Sequence, residues 1–372
     1  MVDIIVSDIQ LEDVLGGGQI FSRLIYENLS KYYETTPINI YGKSTAFNHL
    51  GTYLIKRKIF GRFKILGLLR RSDFASRIFS FVFLKRKNYS TDILISNSLL
   101  DKILIQKIKF KKIIMINHAA NTNTGMNLFI KYVKSMKKHA TDFRVIALNK
   151  THYKILNELF PGKVKLIYNG INLKKISNKQ KIEYLNSIGI GNKKFILYLG
   201  RLEEREKKVS YVIKAFAMLK SEDLNLVIAG KGSDYNMYVS LVKELNIEGR
   251  VIFTGFVSDE KNKFILFKNC FTFIQPSLNE NFGLVTIEAM SQKAIVLTTK
   301  NDGSSDIIKD NVNGFFIEID ENSIKDKIAS LLTKNQNTIK TIKDNAFLTA
   351  KNFTASQMIK NYRNLIEEIT KK

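Results

Sequence analysis

Short apolar runs alternate with amphipathic stretches along most of the chain. The apolar runs have the length of buried strands and are separated by more polar segments. The runs that predict strands are Val2–Ser7, Ile93–Ser96, Ile113–Asn117, Val145–Leu148, Lys165–Tyr168, Phe195–Leu199, Leu224–Ala229, Val251–Thr254, Phe271–Gln275 and Ala294–Thr298. The stretches with helical periodicity are Gln19–Leu29, Lys150–Leu159, Val209–Leu219, Tyr235–Leu245 and Phe282–Ser291. This alternation predicts an α/β fold in which helices cover both faces of parallel sheets.

The length of the chain predicts more than one core. At 372 residues it exceeds the size at which a single core usually stops growing, so two domains are expected. We predict a doubly wound, Rossmann-like N-terminal domain over residues 1–172, a second such domain over residues 173–350, and a C-terminal helix over residues 351–372. The polar stretch Asn172–Lys194 is the expected connection between the two domains.

The segment from Leu278 to Glu288 carries the most informative chemistry. Its first half is typical of a loop, and from Gly283 onward apolar residues recur at helical spacing. Glu280 lies in the predicted loop and Glu288 on the predicted helix, whose first backbone N–H groups could bind a phosphate. Two hydroxyl-accepting carboxylates on either side of a phosphate site fit a nucleotide sugar. The alternative is a buried capping loop in which Glu288 pairs with a lysine.

Cations that could hold a diphosphate follow the predicted strand Phe195–Leu199. Gly200 precedes Arg201, and Lys207 lies a short way further along the same segment. Negative charge develops on a departing diphosphate when a glycosidic bond breaks, and fixed cations can stabilise that charge without a metal ion. Surface charge without a function is the alternative for both side chains.

Two further candidates lie in the N-terminal half. Gly16, Gly17 and Gly18 stand ahead of an amphipathic helix, where backbone N–H groups could approach a diphosphate closely. They lack the Gly-x-Gly-x-x-Gly spacing of a dinucleotide site, which argues against a Rossmann dehydrogenase. His118 directly follows a predicted strand, at the edge where α/β proteins bind ligands, and a structural loop histidine is the alternative.

The formal net charge of +25 indicates an anionic partner. Residues 53–87 contribute eleven Lys and Arg against one acidic residue, with many large apolar residues between them. Basic helices with apolar faces bind anionic membrane surfaces, and a pair of core helices with a solvated basic rim is the alternative. Nucleic acid is not an expected partner, because the sequence has no zinc-ligand spacing and no RNA-binding signature.

The sequence predicts a cytoplasmic protein. The N-terminus lacks the basic region of a signal peptide, and charged residues interrupt every long apolar run. Cys270 is the single cysteine and lies in an apolar run, so we expect an inert core residue. If the basic segment binds lipid, the location is peripheral, at the inner face of the cell membrane.

Several of these segments together resemble the retaining glycosyltransferases of family four, which have the GT-B fold and a paired-glutamate motif. The matching segments are Gly16-Gly17-Gly18, Asn169-Gly170-Ile171-Asn172, Gly200-Arg201-Leu202 with Lys207, Ala229-Gly230-Lys231-Gly232, Val251–Val257 and Leu278–Glu288. The match covers nearly the whole chain and is weakest from Thr35 to Lys112. It has three departures: Lys208 replaces a glycine, Ser291–Ile295 replaces an alanine–glycine–proline pattern, and Asp306 replaces a common glutamate.

The resemblance implies two Rossmann-like domains that face each other across a cleft, with the C-terminal helix crossing back to the first domain. It implies catalytic roles for Glu280, His118, Arg201 and Lys207, with Glu280 on the donor sugar and Glu288 on the ribose. The residues expected to bind the donor are Gly17, Gly18, Arg201, Lys207, Gly230, Val257, Glu280, Asn281, Phe282, Gly283, Leu284, Val285 and Glu288. No metal and no other cofactor are expected.

We therefore expect a retaining glycosyltransferase that moves a hexose-type sugar from a nucleoside diphosphate sugar to a glycan acceptor. The basic, apolar segment suggests that the acceptor is a lipid-linked precursor of a surface polysaccharide, such as a capsule or an O-antigen. Two alternatives remain open. One is a non-catalytic protein that binds anions or membranes through a degenerate cleft, and the other is a nucleotide-sugar epimerase of the same fold.

Overall fold

The computed structural model describes residues 2–7, 17–38, 89–97, 108–118, 123–174, 177–219, 221 and 223–371. Gly16 and the predicted membrane-binding segment 53–87 lie outside these ranges. The chain divides into two units. The first comprises Met1–Leu148, His152–Ile167 and Ile359–Lys372, and the second comprises Asn149–Thr151 and Tyr168–Met358. The main change of unit therefore falls between Ile167 and Tyr168, shortly before the predicted boundary at 172.

The first unit contains a six-stranded parallel sheet in the order β2-β1-β3-β4-β5-β6. Its strands are β1 (Asp3–Ser7), β2 (Glu34–Ile38), β3 (Tyr89–Ser96), β4 (Ile108–Ile116), β5 (Asp142–Ala147) and β6 (Val164–Leu166). Its described helices are α1 (Gly17–Leu29), α2 (Asn123–Met136), most of α3 (Lys150–Leu159) and the end of α13 (Ala355–Thr370).

The second unit contains another six-stranded parallel sheet, in the order β12-β11-β10-β7-β8-β9. Its strands are β7 (Lys194–Leu199), β8 (Leu224–Ala229), β9 (Val251–Gly255), β10 (Thr272–Gln275), β11 (Val296–Thr299) and β12 (Phe315–Ile317). Its helices are α4 (Asn178–Ser187), α5 (Glu204–Lys207), α6 (Val209–Ala217), α7 (Tyr235–Glu244), α8 (Glu260–Asn269), α9 (Leu284–Ser291), α10 (Asp302–Ile307), α11 (Glu321–Thr333) and α12 (Gln336–Ala350).

The apolar runs of the sequence form the centres of these sheets. Every residue of β8 and of β10 is buried, as expected for parallel strands that are covered by helices on both faces. Helix α6 buries Val209, Val212 and Phe216 against the second sheet, which is the periodicity that predicted it. The α/β architecture with two parallel sheets therefore confirms the predicted fold class.

The strand order of the second sheet contains a switch point, where successive strands stop being added on one side and are added on the other. Strands β7, β8 and β9 follow one another towards one edge, and β10 then returns to the other side of β7. The loops that leave the carboxyl ends of β7 and β10 therefore diverge. In parallel α/β sheets, ligands bind in the crevice that such diverging loops leave open.

Several expectations about local structure were wrong. The stretch Asn172–Lys194 is not purely a connection, because it contains helix α4, whose polar sequence hides its helical periodicity. Gly17 and Gly18 begin helix α1 and are not part of a loop. Strands β2 and β12 were not predicted, since the first is polar and the second has three residues. Among the described helices, none is long and apolar enough to cross a membrane.

Candidate active site

The loops after β7 and β10 contact each other near the second sheet, before the chain continues from them in opposite directions, to β8 and to β11. The loop after β7 leads through Arg201 into the one-turn helix α5, and the loop after β10 carries Glu280 and leads into α9. The backbone N–H of Leu278 donates a hydrogen bond to the carbonyl oxygen of Glu206 across 2.9 Å and joins the loops. The Lys207 ammonium lies 2.5 Å from Glu280 Oε1. The lysine predicted to bind the diphosphate and the glutamate predicted to bind the sugar are thus direct neighbours.

The Lys207–Glu280 pair is largely shielded from solvent. The exposed fractions of the two side chains are 11% and 19%, and Gln275 Nε2 also donates to Glu280 Oε1 across 2.9 Å. Gln275 is oriented in turn by Thr286 Oγ1, which donates to its Oε1 across 2.6 Å. Both contacts to Glu280 therefore use the same carboxylate oxygen, and this arrangement fixes the position of the carboxylate.

Arg201 lies at the same edge of the sheet but is more open. Its side chain is 51% exposed, and its guanidinium contacts Glu203 at 2.7 Å and Glu206 at 3.4 Å. The backbone is fixed by the buried Tyr198, whose hydroxyl donates to the Arg201 carbonyl oxygen across 2.6 Å. The cation is therefore held by acids of its own loop, in weak surface ion pairs that an anionic ligand could replace.

Short helix α5, which carries Lys207, is held in place through its first residue, Glu204. Asp234 accepts a hydrogen bond from the Glu204 backbone N–H across 2.7 Å. The Glu204 carboxylate accepts from the Ser210 hydroxyl across 2.6 Å and from the Tyr238 hydroxyl across 3.0 Å. Burial, with the negative charge of Glu204 added, raises the pKa of Tyr238, so this phenol stays a hydrogen-bond donor. Lys207 therefore projects from a backbone with little freedom.

The Glu280 loop rests directly on helix α10. The N–H of Gly303 donates to the Glu280 carbonyl oxygen across 2.9 Å, and a Cβ at Gly303 would lie only 2.6 Å from that oxygen and from the Phe282 nitrogen. Glycine is required for this close approach. Gly283 then takes a φ of 86° as the residue before α9, a left-handed conformation that also favours glycine.

Glu288 pairs with a lysine, as the alternative interpretation of this segment predicted. It is buried on α9, and its Oε1 lies 2.5 Å from the ammonium of Lys263 on α8. Burial raises the pKa of Glu288, while the positive charge of Lys263 lowers it and the negative charge of Glu260 raises it further. The pair does not by itself exclude a role in binding, since Lys263 occupies one of the two carboxylate oxygens.

The other residues of this unit that were predicted to bind the nucleotide-sugar donor lie at the carboxyl edge of the second sheet or next to it. Gly230 directly follows β8 and donates its N–H to the Gly255 carbonyl oxygen across 2.8 Å, and the half-buried Val257 follows β9. Asn281 accepts a hydrogen bond at its carbonyl oxygen from Asn149 across 2.8 Å. Leu284 and Val285 form the first turn of α9, where backbone N–H groups have no partner within the helix.

Phe282 has a structural role that the sequence did not predict. It is 2% exposed, and its ring stacks on Tyr168 at 5.8 Å and meets Phe353 edge-on at 5.6 Å between ring centroids. Its side chain therefore belongs to the core and anchors the loop. A contribution of Phe282 to donor binding would be limited to its backbone.

The remaining candidates belong to the first unit. Gly17 and Gly18 form the first turn of α1, and His118 follows β4. The His118 ring meets Phe21 edge-on at 5.0 Å between centroids. Burial lowers the pKa of His118 to about 4, so its imidazole is neutral at physiological pH. It can donate or accept a hydrogen bond there but cannot act as a cation.

Three residues of this site were not predicted from the sequence. Gln275 and Thr286 orient Glu280, and Lys263 pairs with Glu288. Gln275 could have been found, because it is a polar residue at the carboxyl end of a buried strand, a position typical of ligand sites. Lys263 gave no signal, since a lysine near the start of a helix is usually solvated.

The sequence predicted an inert cysteine and activity without a metal ion. Cys270 is free and buried, and burial raises the pKa of its thiol to about 12, so the prediction of an inert core cysteine is confirmed. No group of three His, Cys, Asp or Glu side chains that could hold a metal ion occurs in the part of the chain that the structure describes. Metal-independent activity stays a prediction.

The whole chain has the fold of GT-B glycosyltransferases. HepE of Anabaena, solved in complex with UDP and glucose, superposes with a TM-score of 0.73 over 99% of this chain and 100% of HepE. The two sequences are 18% identical, which supports the fold alone. Residues 180–348 match the family model of glycosyl transferases group 1. The matched residues lie within the second unit and include the Lys207–Glu280 pair.

Two curated relatives are similar over part of the chain. One is the N-acetylgalactosamine-N,N'-diacetylbacillosaminyl-diphospho-undecaprenol 4-alpha-N-acetylgalactosaminyltransferase of Campylobacter jejuni, 34% identical over 174 residues that cover 46% of this chain and 45% of the relative. The other is the capsular polysaccharide biosynthesis glycosyltransferase CapM of Staphylococcus aureus, 27% identical over 257 residues that cover 64% of each chain. The chain spans about half the length of the curated relatives it matches.

Proposed function

We propose that this protein transfers a hexose-type sugar, with retention of configuration, from a nucleoside diphosphate sugar to a lipid-linked glycan. The observation that carries the proposal is the convergence of Lys207 and Glu280 at the switch point of a group 1 glycosyltransferase domain. A cation for a phosphate and an acceptor for sugar hydroxyls lie side by side there, which is the chemistry that a nucleotide sugar requires.

The diphosphate would be held by the loop after β7 and by the first turn of α9. Lys207 and Arg201 supply fixed positive charge, and the Gly283–Val285 backbone supplies N–H donors at a helix N-terminus. Both cations are paired with carboxylates, Lys207 with Glu280 and Arg201 with Glu203 and Glu206. An incoming diphosphate would replace part of these contacts and place the cations where charge develops on the leaving group.

The two glutamates would accept hydroxyls at the two ends of the donor. Glu280 is oriented through Oε1, so its other oxygen is the proposed acceptor for the sugar. Glu288 is assigned to the ribose. Because Glu280 is held by Lys207 and Gln275, we assign it a hydrogen-bonding role and not that of an attacking nucleophile. That role is compatible with same-face transfer, in which a donor phosphate oxygen helps to deprotonate the acceptor hydroxyl.

The proposed acceptor is a polyprenyl-diphosphate-linked precursor of a surface polysaccharide. The Campylobacter relative is named for an undecaprenol-linked acceptor, and CapM for capsular polysaccharide biosynthesis. The basic, apolar segment 53–87 supports a location at the inner face of the cell membrane, where such an acceptor is found. We propose no nucleic-acid partner.

The test is turnover by the purified protein. UDP- and GDP-linked hexoses and N-acetylhexosamines are offered with and without a short-chain polyprenyl-diphosphate sugar, in buffer that contains excess chelator. We expect release of nucleoside diphosphate and an elongated acceptor whose new linkage keeps the anomeric configuration of the donor by NMR. Because Lys207 and Arg201 supply the positive charge, magnesium or manganese should not be needed.

The controls separate the alternatives. Lys207→Gln should lose turnover by about a hundredfold, whereas Lys243→Gln, an exposed lysine on α7, should not change it. A donor sugar altered without any acceptor would support an epimerase. Binding without turnover of any donor would support the non-catalytic alternative and overturn the proposal. Activity that needs added metal would overturn its metal-independent part.

A further inference from the structure

Glu288 and Lys263 form the most deeply buried ion pair of the second unit in the described structure. The exposed fractions of the two side chains are 9% and 14%, and the ammonium lies 2.5 Å from Glu288 Oε1. The residues come from different helices, Lys263 from α8 and Glu288 from α9, so the pair also fixes where these helices sit side by side.

A buried carboxylate needs a partner to stay charged. Removing an ion from water without compensation costs several kcal/mol, and a carboxyl group then takes up a proton. A carboxylate accepts hydrogen bonds at both oxygens, whereas a protonated carboxyl group must donate one of its own. A pair of adjacent ribose hydroxyls, which both donate, can therefore be bound well only by the charged form.

We propose that Lys263 is a positioning residue that holds the Glu288 carboxylate as the hydroxyl acceptor for the ribose of the nucleotide donor. This inference rests on the proposed function of the site. It assigns a role to a residue outside all the segments by which the chain resembles glycosyltransferases. Lys263 acts through Glu288 and does not itself contact the donor.

The charges around Glu288 are few, which makes the role of Lys263 testable. Lys263 and Glu260, both on α8, are the groups that act on the Glu288 carboxylate. Glu260 is itself paired with Lys174. Helix α12 also packs against α9, but its Asp344 pairs with Lys293 at 2.5 Å. Removal of Lys263 therefore leaves burial and Glu260 acting in the same direction, and both raise the pKa of Glu288.

Removal of Lys263 should therefore change the pH dependence of nucleotide binding. Binding that needs charged Glu288 is complete above the pKa of this group and is lost as the pH falls through it. In Lys263→Met the loss should begin at a higher pH than in the wild type. Calorimetry with UDP or GDP, whichever the wild type binds, should show that the wild type loses less affinity from pH 8 to pH 6 than Lys263→Met does. In the variant the affinity should weaken by about tenfold over the same range.

The unliganded protein gives a second, independent measurement. A carboxyl whose pKa is higher in the folded than in the unfolded state contributes stability at low pH and loses it as the pH rises. The stability difference between wild type and Lys263→Met should therefore be largest at pH 8 and shrink towards pH 5. The double variant Lys263→Met/Glu288→Gln has no carboxyl group at this position, so its difference from wild type should not follow that trend.

Control variants separate positioning from a general loss of structure. Lys261→Met, an exposed lysine on the same helix, should leave both pH profiles unchanged, and Lys263→Arg should restore the wild-type binding profile. If Lys263→Met binds nucleotide with a pH profile parallel to the wild type, the inference is wrong although the proposed function stands. If the wild type binds no nucleoside diphosphate, the proposed function fails, and the pH trend in stability still tests the ion pair.

Discussion

Two lysines of the second unit adopt a backbone conformation that glycine favours. Lys208 has a φ of 51° between helices α5 and α6, and Lys293 has a φ of 59° two residues after the end of α9. Lys208 stands where the resembled family has glycine, and Lys293 lies in the segment that replaces an alanine–glycine–proline pattern. The structure explains why glycine is common at such positions, since an L-residue with a side chain is strained there.

The strain at Lys208 predicts that glycine stabilises the protein. Lys208→Gly should raise the free energy of unfolding by about 0.5–1 kcal/mol, because relief of the left-handed strain exceeds the entropy that glycine adds to the unfolded chain. Urea unfolding of the wild type and the variant measures this difference in the free energy of unfolding. The matched control, Lys214→Gly within α6, should lower the same free energy by about 1 kcal/mol. A loss of stability in Lys208→Gly would contradict the strain argument.

At the scale of elements, helix α5 shows how a short segment can be positioned without a core of its own. Its four residues bury no side chain, yet Asp234 binds its first N–H, and Glu204 links it to α6 and α7. The contact of Leu278 with Glu206 then aligns it with the loop after β10. The position of Lys207 therefore depends on hydrogen bonds to a helix N-terminus.

Removal of the Asp234 carboxylate should misplace Lys207. Asp234→Ala is expected to cost about 1 kcal/mol of stability, as for the loss of a helix cap, and to lower kcat/KM for the donor by about tenfold. Asp320→Ala removes a comparable cap from α11, where Asp320 accepts from Asn322 and Ser323, and should cost similar stability without a kinetic effect. Equal kinetics in the two variants would show that α5 tolerates the loss of its cap.

The sequence predicted those elements whose apolar positions define their period. Strand β8 and helix α3 have the predicted bounds, and β7 differs from its prediction by one residue. Elements with polar or mixed sequences were missed, among them α4, α10 and β2, because their stability comes from tertiary packing and capping, as in the capping box of Asn301 and Ser304. Periodicity alone does not contain that information.

The part of the site that follows buried strands could be predicted from the sequence. Arg201, Lys207 and Glu280 follow the carboxyl ends of buried strands, and that position can be derived from the order of strands and loops. The partners of Lys207 and Glu288 could not be derived, because each ion pair joins segments that are distant in sequence. Phe282 lies between the two glutamates in the sequence. Only its contacts with Tyr168 and Phe353 reveal that its ring is structural.

At the scale of the whole molecule, the positive charge is unevenly distributed. Counted over the full sequence, the first unit has 31 Lys and Arg against 13 Asp and Glu, and the second has 28 against 21. Much of the excess in the first unit comes from residues 53–87, which lie outside the described residues. The unit without the Lys207–Glu280 pair is therefore the one that an anionic membrane surface would attract.

The membrane proposal can be tested by charge reversal. Replacement of Arg70, Arg71, Arg86 and Lys87 by Glu should abolish co-sedimentation with phosphatidylglycerol vesicles, and high salt should weaken binding of the wild type. Donor hydrolysis should persist. Replacement of Lys214, Lys243, Lys300 and Lys340 by Glu makes the same change of net charge in the second unit and should have a smaller effect. Equal partitioning of the first variant and the wild type would reject the proposal.

We propose that Glu280 and Glu288 bind the two ends of one nucleotide-sugar donor. The ribose hardly changes as the glycosidic bond breaks, whereas the sugar changes in charge and ring shape. A contact that is equally strong in the ground state and the transition state affects binding, and a contact that strengthens in the transition state affects kcat. The two glutamates should therefore differ in which measured quantity they control.

The most direct test combines calorimetry with the free nucleoside diphosphate and steady-state kinetics on the same variants. Glu288→Gln should weaken the binding of donor and of nucleoside diphosphate alike. Glu280→Gln should leave nucleoside diphosphate affinity within about twofold of the wild type and lower kcat by about ten- to a thousandfold. A larger loss of nucleoside diphosphate binding in Glu280→Gln than in Glu288→Gln would show that the two roles are reversed. Unchanged binding and turnover in both variants would show that neither glutamate contacts the donor.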